Sequence, residues 1–600
     1  MQPTMEILAR ISKNSLANKE EIFTRLYRYL LRPDLYFKAY NRLYANDGAA
    51  TKGVNNDTAD GFSEIKINNI IKSLTDETYQ PTPVRRTYIT KKNDLKKKRP
   101  LGIPTFTDKL VQEVLRMVLE AVYEPIFLNV SHGFRPKRSC HTALSNLKYE
   151  FGGTRWFIEG DIKGCFDNID HAVLVGLVNR KIKDARIIKL IYKFLKAGYL
   201  EDWKYHATYS GTPQGGITSP LLSNIYLHEL DKFVMKLKSE FDTPNIGEIT
   251  PEYRELHNNI KMLSYYLKRS SGAERELLLA EYKEKRKRLM TIPCTAQTDK
   301  RIKYVRYADD FLIGVKGSRE DCLWIKRKLA EFIGNSLKME LSDEKTLITH
   351  SSECARFLSY DVRVRRSGKI KRGGNGNVKM RTLNGSVELL VPFDDKTHKF
   401  VFSKGIAIQK NDGTLFPVHR KYLINLTDLE IVSAYNAELR GICNYYGLAS
   451  NFNKFGYFAY LMEYSCLKTL ANKHKSTISK VITKFKDGKG EWGIPYETKQ
   501  GKKRRYFANY ADCKGKGSPT DTMSNRALVL GYSINTLENR LKANICELCG
   551  TCDSEHYEVH HVNKLKNLKG KQRWEIAMLA KRRKTLIVCR KCHRSVIHTK

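Results

Sequence analysis

Long apolar stretches are absent from this sequence. No run of 18 apolar residues occurs along its 600 positions, which excludes a predicted membrane-spanning helix. The opening segment, MQPTMEILARISKN, lacks the apolar core of a secretory signal. We therefore expect a cytoplasmic protein that has no membrane partner.

Acidic residues are scarce relative to basic ones. Asp and Glu number 64 against 106 Lys and Arg, so the formal net charge is +42. So large an excess of positive charge repels itself in a compact chain unless a polyanion supplies the counter-charge. Nucleic acid is the first expectation and an anionic membrane surface the second. Apolar residues make up 41% of the chain, which suffices for several cores, and its length predicts about four domains.

Cysteine is sparse over most of the chain and concentrated near its end. Eight of the 13 cysteines are scattered singly, as buried thiols are in a reducing compartment. The last 55 residues hold the other five cysteines and five of the 15 histidines: Cys546, Cys549, Cys552, Cys589, Cys592, His556, His560, His561, His593 and His598. Thiols and imidazoles clustered in this way predict a metal site, not a disulfide framework.

Periodicity divides the chain into helical and mixed regions. The first forty residues predict a helix, with Ile22, Leu26 and Leu30 on one face. From about 85 to 365, short β-rich runs alternate with helical patterns, which predicts an α+β core on an antiparallel sheet.

Three further segments interrupt or follow this core. A stretch dense in Glu, Lys and Arg at 231–303 predicts one or two exposed helices. The basic, Gly- and Asn-rich segment 371–381 is the best candidate for a domain boundary, and residues 385–480 predict a second helical region.

Three aspartates are the candidate metal-binding and catalytic residues of the α+β core. FIEGDIKGCFDNID places Asp161 at the end of an apolar strand, and YVRYADDFLIGV places Asp309 and Asp310 in a strand–turn–strand hairpin. Neighbouring carboxylates repel each other, and a pair of Mg²⁺ ions could offset that repulsion and support phosphoryl transfer. Taken alone, Asp-Asp fits an ordinary β-turn better.

The aspartates belong to a longer series of motifs. In chain order these are KKKRPLGIPT, HGFRPKRSCHTAL, GDIKGCFDNI, GTPQGGITSPLLSNIYL, RYADDFLIGV and FLSYDV. Together they resemble the polymerase blocks of group II intron-encoded reverse transcriptase/maturases that carry an endonuclease tail, and the resemblance covers essentially the whole chain.

The resemblance implies a multidomain α+β fold. It comprises a right-hand polymerase with fingers and an antiparallel palm sheet at 1–370 and an α-helical thumb or maturase domain at 371–480. A small basic DNA-binding region at 481–540 and a zinc-stabilised ββα-metal (HNH) endonuclease at 541–600 complete it.

The resemblance also implies roles at the polymerase site. Asp161, Asp309 and Asp310 match the catalytic carboxylates, with Asp161 and Asp309 as the Mg²⁺ ligands of a two-metal site. The residues that match contacts to the incoming dNTP are Lys91, Arg99, Phe166 and Gln214. Phe166 matches the ring that excludes a ribose 2′-hydroxyl, whereas Lys91 and Arg99 could also belong to a merely solvated basic loop.

One position departs from the family pattern. FLSYDV carries Ser359 where the family usually has glycine, close to the primer terminus. If the backbone there requires a positive φ, serine costs about 1 kcal/mol or more.

The binding regions follow from the same resemblance. LRGICNYYGLASN and SCLKTLANKHKS match the maturase domain, which implies RNA contacts from Asn444, Tyr445, Lys473, His474 and Lys475. Tyr445 and Tyr446 could instead be core residues, and at helical spacing Tyr446 is expected to be. KQGKKRRYF implies DNA contacts from Lys502, Lys503, Arg504 and Arg505, although such a charge run is commonly only a solvated face.

The Cys/His tail combines two patterns. Cys546 and Cys549, with Cys589 and Cys592, form two CxxC knuckles that can close a structural Zn²⁺ site, leaving Cys552 as a spare thiol or competing ligand. The knuckles alone fit a binding-only zinc ribbon equally well.

EVHHVNKLKN between the knuckles, and the histidine that follows the second one, resemble the HNH endonuclease pattern. The resemblance implies His561 as general base, with His560 and His593 as ligands of a divalent ion and His598 as a further candidate. Asn563 or Asn567 would orient the base.

The expected function is that of a mobile-intron protein. It would bind its group II intron RNA, assist splicing, nick a DNA target site and copy the intron from the exposed 3′-hydroxyl using dNTPs. A homodimer is compatible with this expectation. The alternatives are a splicing cofactor without enzymatic activity and a host-domesticated reverse transcriptase.

Overall fold

The computed structural model describes most of the chain. The described residues are 4–91, 94–202, 204–208, 210–211, 215–243, 248–292, 294, 299–367, 370–372, 379–381, 384–498, 500–515 and 536–598. At residues 47, 91, 94–97, 370–372 and 379–381 only the backbone is described.

The first 150 residues are mainly helical and carry one long β-hairpin. Their elements are α1 (Thr4–Ala17), α2 (Tyr27–Leu30), α3 (Pro33–Leu43), α4 (Glu64–Thr75), β1 (Val84–Lys91), β2 (Asp94–Ile103), α5 (Phe106–Tyr123) and α6 (Cys140–Glu150). Side-chain caps begin three of these helices, because Ser63 accepts the Lys66 N–H, Thr105 accepts the Asp108 N–H and Ser139 accepts the Thr142 N–H.

The continuous helix predicted for the first forty residues was wrong between α1 and α2. Phe23 instead forms a parallel bridge with Ile182, in which the Phe23 N–H donates to the Lys181 carbonyl and the Lys183 N–H donates to the Phe23 carbonyl. Ile22 is 53% exposed. These hydrogen bonds join residues about 160 positions apart, so local periodicity could not reveal them.

The middle of the chain builds an antiparallel sheet and its covering helices. Its elements are β3 (Trp156–Asp161), α7 (His171–Lys181), α8 (Ala185–Lys196), β4 (Tyr199–Glu201), β5 (Lys204–His206), α9 (Ser219–Phe241), α10 (Pro251–Leu267), α11 (Gly272–Leu289), β6 (Arg301–Tyr307), β7 (Asp310–Lys316), α12 (Arg319–Leu337) and β8 (Ile348–His350). The central sheet has the strand order β6-β7-β3-β8, and a second sheet has the order β2-β1-β4-β5.

The charged insertion is a helical hairpin, as its composition predicts. Helices α10 and α11 pack against each other. Only Leu256 and Leu263 are buried on α10, and α11 buries no residue. A hairpin that hides so little apolar surface is largely exposed.

The region after the central sheet contains a three-stranded sheet, three long or amphipathic helices and a basic hairpin. Its elements are β9 (Ala355–Phe357), β10 (Tyr360–Val364), β11 (Ile370–Arg372), β12 (Lys379–Arg381), β13 (Val387–Leu390), α13 (Lys399–Ser403), β14 (Ala407–Gln409), β15 (Leu415–Pro417), α14 (Asp428–Tyr445), α15 (Phe455–Lys473), α16 (Ile478–Phe485), β16 (Gly493–Thr498) and β17 (Gly501–Tyr506). Strand β13 pairs with β10, so one sheet spans the segment in which we place the domain boundary.

The C-terminal tail is small and has two strands. Its elements are α17 (Leu537–Lys542), β18 (Tyr557–His561), α18 (Arg573–Lys581), β19 (Thr585–Cys589) and α19 (Arg590–Cys592), and a single π-turn follows at His593–Ile597. Strands β18 and β19 pair antiparallel, with His561 opposite Thr585.

Two apolar cores cover the two faces of the central sheet. Ile158, Ile313 and other residues of one face join the N-terminal helices, α9 and α12, whereas Phe157 and Leu312 of the other face join α6 and the helices after residue 400. Alternate residues of a strand point to opposite faces, which explains the division. The tail, including Val559 and Ile587, belongs to the first core.

A fully buried ion pair anchors the hairpin between β6 and β7. Arg306 and Asp231 are both 0% exposed, and the guanidinium donates to the carboxylate through Nε at 2.7 Å and through Nη2 at 2.6 Å. The same guanidinium donates to the Ala308 carbonyl at 2.9 Å. The backbone of Arg306 also pairs with the segment around Ser131, so the pair links α9, the hairpin and that segment.

Helices long and apolar enough to cross a membrane do not occur among the described residues.

Removing one partner of the buried pair should destabilise the protein strongly. Asp231→Leu leaves a guanidinium buried without a counter-charge, and we expect a loss of about 3–5 kcal/mol of unfolding free energy. The double change Asp231→Leu with Arg306→Met removes both charges and should recover at least half of that loss. Urea unfolding followed by tryptophan fluorescence measures both effects.

The exposed pair between Arg288 and Glu252 provides the control. These side chains are 67% and 56% exposed and lie 3.1 Å apart, so Glu252→Leu should cost less than about 1 kcal/mol. If Asp231→Leu alone and Asp231→Leu with Arg306→Met lowered the unfolding free energy equally, the unpaired buried charge would not be the cause of the destabilisation.

Candidate active sites and nucleic-acid surfaces

Three aspartates meet at one end of the central sheet. Asp161 is the last residue of β3, and its direct partner in the antiparallel register is Asp310, the first residue of β7. Asp309 lies in the two-residue turn between β6 and β7, next to Ala308, whose φ is +57°. Side chains directly opposite each other in such a pair have Cβ atoms about 5 Å apart. The residues predicted from two separate motifs are therefore neighbours.

The electrostatics of this cluster call for a cation. Burial, together with the charges of Asp309 and Asp161, raises the pKa of Asp310 to about 7. Burial, together with the Asp161 charge, also raises the pKa of Asp309. Neighbouring carboxylates repel each other when all are ionised, and a bound cation would offset that repulsion. Mg²⁺ suits this role because it prefers a few carboxylate ligands together with substrate phosphates. The donor set thus fits the expected metal ions.

Two cations already lie near the carboxylates. The Nζ of Lys345 is 2.7 Å from Asp161 Oδ2, and this hydrogen bond raises the pKa of Lys345. Arg99, on β2 opposite Ile89, is exposed, and its charge partly opposes the increase in the Asp309 pKa. Arg99 thus lies near enough for its charge to act on Asp309, and Lys345 is a second cation that the motifs did not indicate.

Phe166 lies five residues beyond Asp161 and is half-buried. Its ring meets that of Phe134 edge-on, with the centroids 6.3 Å apart. Phe134 is 46% exposed and has a φ of +57°. Phe166 therefore has an aromatic neighbour that sequence reasoning missed.

Two of the groups expected to contact the dNTP, Gln214 and the side chain of Lys91, lie outside the described residues. Gly215, the next residue in the chain after Gln214, has a φ of +111°, and a Cβ there would stand 2.4 Å from the Gly102 carbonyl oxygen on β2. Only glycine permits this approach, so Gly215 packs directly on the β1–β2 hairpin.

Ser359 lies in a turn that requires positive φ angles. Leu358 and Ser359 connect β9 to β10 with φ values of +46° and +62°, as in the two-residue turns of β-hairpins. The hydroxyl of Tyr445 donates to the Leu358 carbonyl at 2.8 Å, and that of Tyr446 donates to the Ser359 carbonyl at 3.3 Å. The strain expected of serine is therefore present, and α14 and its C-terminal end hold the turn.

The residues expected to bind RNA divide into two groups. Asn444 and Lys475 are exposed, whereas Tyr445 is half-buried and its ring lies against those of His141 and Tyr360. Tyr446 is 5% exposed, so it is a core residue, as its spacing predicts.

Lys473 and His474 both contact the start of α14. Lys473 Nζ lies 2.7 Å from Asp428 Oδ1, and His474 Nε2 lies 2.8 Å from Asp428 Oδ2. These contacts connect the end of α15 to the start of α14, and they lower the pKa of Asp428 against the effect of its burial.

The basic run forms strand β17 of a hairpin with β16. Lys502, Lys503 and Arg505 are exposed. Arg504 faces inward, and its Nη1 donates to the Phe485 carbonyl at 2.9 Å and to the Gly493 carbonyl at 3.1 Å. Three of the four cations are thus available at the surface, and the fourth ties the hairpin to α16.

Four cysteines of the tail converge. The sulfur atoms of Cys546, Cys549, Cys589 and Cys592 all lie within 4.8 Å of one another. In each knuckle the N–H of the second cysteine points at the sulfur of the first, at 3.5 Å. Despite burial, backbone hydrogen bonds lower the pKa of Cys546 to about 7. Four thiols at this spacing fit a tetrahedral Zn²⁺.

Cys552 lies outside this cluster. It is exposed, and its sulfur points at the Gly550 carbonyl. All 13 cysteines lie within the described residues, and none is disulfide-bonded.

A second cluster forms from three histidines and an unexpected aspartate. The ligand atoms of His560, His593, His598 and Asp60 all lie within 4.8 Å of one another. Nε2 of buried His560 lacks a hydrogen-bond partner, and its Nδ1 lies 3.0 Å from Asp60 Oδ1. Hydrogen bonds to Asp60 and Glu558 outweigh burial and raise the pKa of His593 to about 9. An orphaned imidazole nitrogen and a neighbouring carboxylate fit a divalent ion.

His561 points to the opposite face of β18, because successive residues of a strand alternate. Its Nε2 lies 3.0 Å from the Tyr44 carbonyl oxygen, and its ring meets the Tyr44 ring edge-on. Nε2 therefore donates, which leaves Nδ1 unprotonated in the neutral ring. Burial lowers the pKa of His561.

The residues that sequence reasoning missed are those brought in by the fold. Asp60 is 500 positions from His560, and no local motif marks it. Lys345 stands in LSDEKT and Phe134 in HGFRP, where neither side chain signals a site by itself.

Three family models match the chain in consecutive segments. Residues 89–246 match the reverse transcriptase (RNA-dependent DNA polymerase) model. Residues 385–524 match the type II intron maturase model, and residues 546–593 match the AI2M/AI1M-like HNH endonuclease model. The three segments contain Asp161 of the carboxylate cluster, the helices α14 to α16 and the Cys/His tail from Cys546 to His593.

Several curated proteins are similar along most of the chain. The group II intron-encoded protein LtrA of Lactococcus lactis subsp. cremoris is 69% identical over 599 residues, which cover 100% of both chains. An uncharacterised 91 kDa protein in the cob intron of Schizosaccharomyces pombe is 36% identical over 94% of this chain and 68% of its own. Escherichia coli YkfC is 33% identical over 57% of this chain and 84% of its own.

The matched domains establish what the chain does. Reverse transcriptases and HNH endonucleases act with divalent metal ions, and the reverse transcriptase and maturase functions imply that the chain binds intron RNA and DNA. Because all three domains are present and the similarity to LtrA extends from end to end, the chain belongs to the group II intron-encoded proteins, which combine reverse transcriptase, maturase and HNH endonuclease functions.

Proposed function

We propose that DNA synthesis takes place at the Asp161, Asp309 and Asp310 cluster. The observation that carries this proposal is the register of the central sheet, which sets Asp161 opposite Asp310 with Asp309 in the adjoining turn. Asp161 and Asp309 would hold two Mg²⁺ ions. When bound, these ions would neutralise the triphosphate and favour ionisation of the primer 3′-hydroxyl.

The residues around the cluster would orient the incoming dNTP. Arg99 and Lys91, on the β1–β2 hairpin, would bind the triphosphate as a fork and a point charge. Gln214, which precedes Gly215 in the chain, would contact the nucleotide. Phe166 would clash with a ribose 2′-hydroxyl, and the edge-on contact with Phe134 would keep its ring in place.

We assign the chain to four functional regions with the boundaries expected from its motifs. Residues 1–370 would form the fingers and palm, 371–480 the maturase or thumb domain, 481–540 the DNA-binding region and 541–600 the endonuclease. The right-hand arrangement is supported by the way the second core joins α14 and α15 to the central sheet.

RNA binding is assigned to the surface of the maturase helices. Asn444 and Lys475 are exposed and would contact the intron directly, by an amide and a cation. Tyr445, Lys473 and His474 also belong to this proposed surface, although each has a partner within the protein.

DNA binding is assigned to strand β17. Lys502, Lys503 and Arg505 would contact phosphates, and Arg504 would keep the hairpin in place. Such contacts are strongly dependent on salt and carry little sequence information.

Strand cleavage is assigned to the tail. His560 and His593 would hold a divalent ion, which when bound would stabilise the leaving 3′-oxygen. His561 would take the proton of the attacking water through Nδ1, the nitrogen that Tyr44 leaves unprotonated. Asn563, whose Oδ1 is buried without a partner, is a better candidate for the orienting asparagine than exposed Asn567.

These activities would follow one another in target-primed reverse transcription. The protein would help its intron RNA fold and splice, nick one strand of a DNA target and extend the resulting 3′-hydroxyl with dNTPs. A homodimer and a cytoplasmic location belong to the same proposal. The cysteines are free thiols, which supports a reducing compartment such as the cytoplasm.

Asp309→Ala should abolish cDNA synthesis and spare RNA binding. The change removes a carboxylate from the proposed polymerase site and leaves the maturase surface intact. Incubation with a primed RNA template, Mg²⁺ and dNTPs measures cDNA synthesis. Filter binding measures the affinity for intron RNA, and a splicing assay measures how well the protein assists splicing. Loss of splicing in a folded Asp309→Ala protein would contradict the separation of roles.

Replacing Lys502, Lys503 and Arg505 by alanine should weaken DNA binding and its salt dependence. Three lost phosphate contacts should reduce the slope of log affinity against log salt by about 2 to 3. The control replaces three cations of α11, Arg275, Lys283 and Lys287, by alanine with the same loss of charge. An equal decrease in both triple variants would assign the effect to net charge.

Cys589→Ser should release one zinc ion and unfold the tail. A site with three thiolates binds zinc far more weakly, and metal binding is coupled to folding in small domains. Zinc content and limited proteolysis measure the two effects, with Cys552→Ser as the control. Full zinc content and a protease-resistant tail in Cys589→Ser would exclude the proposed site.

A further inference from the structure

Asp60 lies in the N-terminal region but touches the tail. It precedes Gly61, whose N–H donates to the Val559 carbonyl at 3.0 Å, and the Val559 N–H donates to the Phe62 carbonyl at 2.8 Å. These bonds make an isolated antiparallel bridge between Phe62 and Val559. Phe62 is 0% exposed and Ser63 caps α4 directly afterwards, so the backbone of Asp60 is fixed beside β18.

The carboxylate of Asp60 faces the three histidines of the tail. Oδ1 accepts the His561 backbone N–H at 2.7 Å and lies 3.0 Å from His560 Nδ1. Oδ2 lies 2.8 Å from His598 Nε2 and 3.3 Å from His593 Nε2. No other described carboxylate belongs to this group of ligand atoms.

Two features of the histidines are typical of metal ligands. His560 is 4% exposed. Its Nδ1 has only the Asp60 carboxylate beside it, and its Nε2 lacks a hydrogen-bond partner, which is costly unless something else binds that nitrogen. His593 turns Nε2 towards the cluster and bonds Glu558 through Nδ1. A carboxylate on the remote nitrogen is the usual way to orient a metal-binding imidazole.

We propose that Asp60 is a ligand of the nuclease metal ion, together with His560, His593 and His598. This inference rests on the proposed placement of that ion in the tail. One carboxylate and three imidazoles favour a divalent transition metal such as Mn²⁺ or Co²⁺ over Ca²⁺ or Mg²⁺. The endonuclease site is then complete only when the tail is docked on the N-terminal region, so strand cleavage depends on the polymerase part of the chain.

The alternative role for the same contacts is to dock the tail on the N-terminal region by electrostatic attraction alone, with Asp60 paired to a protonated His593. The two roles differ in what a metal ion does. If Asp60 is a ligand, an ion bridges the tail and the N-terminal region, and it should slow proteolytic release of the tail. If Asp60 only docks the tail, the ion should have no such effect.

The test uses the full chain with its cysteine site loaded with zinc. Mn²⁺ is titrated and free Mn²⁺ is measured by electron paramagnetic resonance for wild type, Asp60→Asn and His593→Ala. Asp76→Asn, an exposed aspartate of the same region, is the matched control. Tail release by a protease with and without Mn²⁺, and cDNA synthesis, are measured on the same samples.

We expect Asp60→Asn to weaken one Mn²⁺ site at least about tenfold. Mn²⁺ should slow tail release in wild type and Asp76→Asn but not in Asp60→Asn, and cDNA synthesis should be equal in all four proteins. Wild-type Mn²⁺ affinity in Asp60→Asn, or tail release that is independent of Mn²⁺ in wild type, would overturn the inference.

His593→Ala separates this inference from the proposal beneath it. If His593→Ala loses the site and Asp60→Asn keeps it, the ion is in the tail and Asp60 is not a ligand. If His593→Ala binds Mn²⁺ as wild type does, the placement of the ion in the tail is itself wrong and the inference fails with it.

Discussion

The buried ion pair between Arg306 and Asp231 is the contact on which the arrangement of the carboxylate cluster depends. A guanidinium and a carboxylate with no exposure to water are stable only when each satisfies the other and their remaining hydrogen bonds are made. Arg306 makes those bonds to the Ala308 carbonyl and to the Ser131 hydroxyl. The turn that carries Asp309 is thereby tied to α9 and to the segment before α6. At Gly133, a Cβ would stand 2.4 Å from the Ala308 nitrogen, so the packing tolerates no larger residue there.

The large positive charge of the chain is used in two different ways. Some cations have protein partners and hold elements together, as Arg504 does for the basic hairpin and Lys473 for the start of α14. Others, such as Lys502 and Lys475, are exposed and available to a phosphate backbone. At the carboxylate cluster the signs are reversed, because three acids lie together there and the nearby Lys345 offsets their charge only in part. The basic surface and the acidic site are complementary parts of one nucleic-acid enzyme.

The tail is less independent than its small size suggests. Its apolar residues share a core with the N-terminal helices, and a backbone bridge joins Phe62 to Val559. A small domain held by zinc has little apolar surface of its own to bury. Docking on the larger part of the chain therefore adds stability and, at the same time, brings the carboxylate of Asp60 to the histidines.

The sequence by itself determined the family, the order of the domains and the residue types at each centre, because these are carried by contiguous motifs such as YADD, the CxxC knuckles and the His-His pair. Charge composition also predicted the exposed helical insertion, and local periodicity predicted the buried Tyr446. It failed at residues 18–26, where pairing with Ile182 replaces a helix. Only the tertiary structure decided that Arg504 is structural, that Cys552 stands apart from the other four thiols and that Asp60 joins the tail. Each of these depends on contacts between residues far apart in the chain or on the direction of a side chain, and neither is encoded in local spacing.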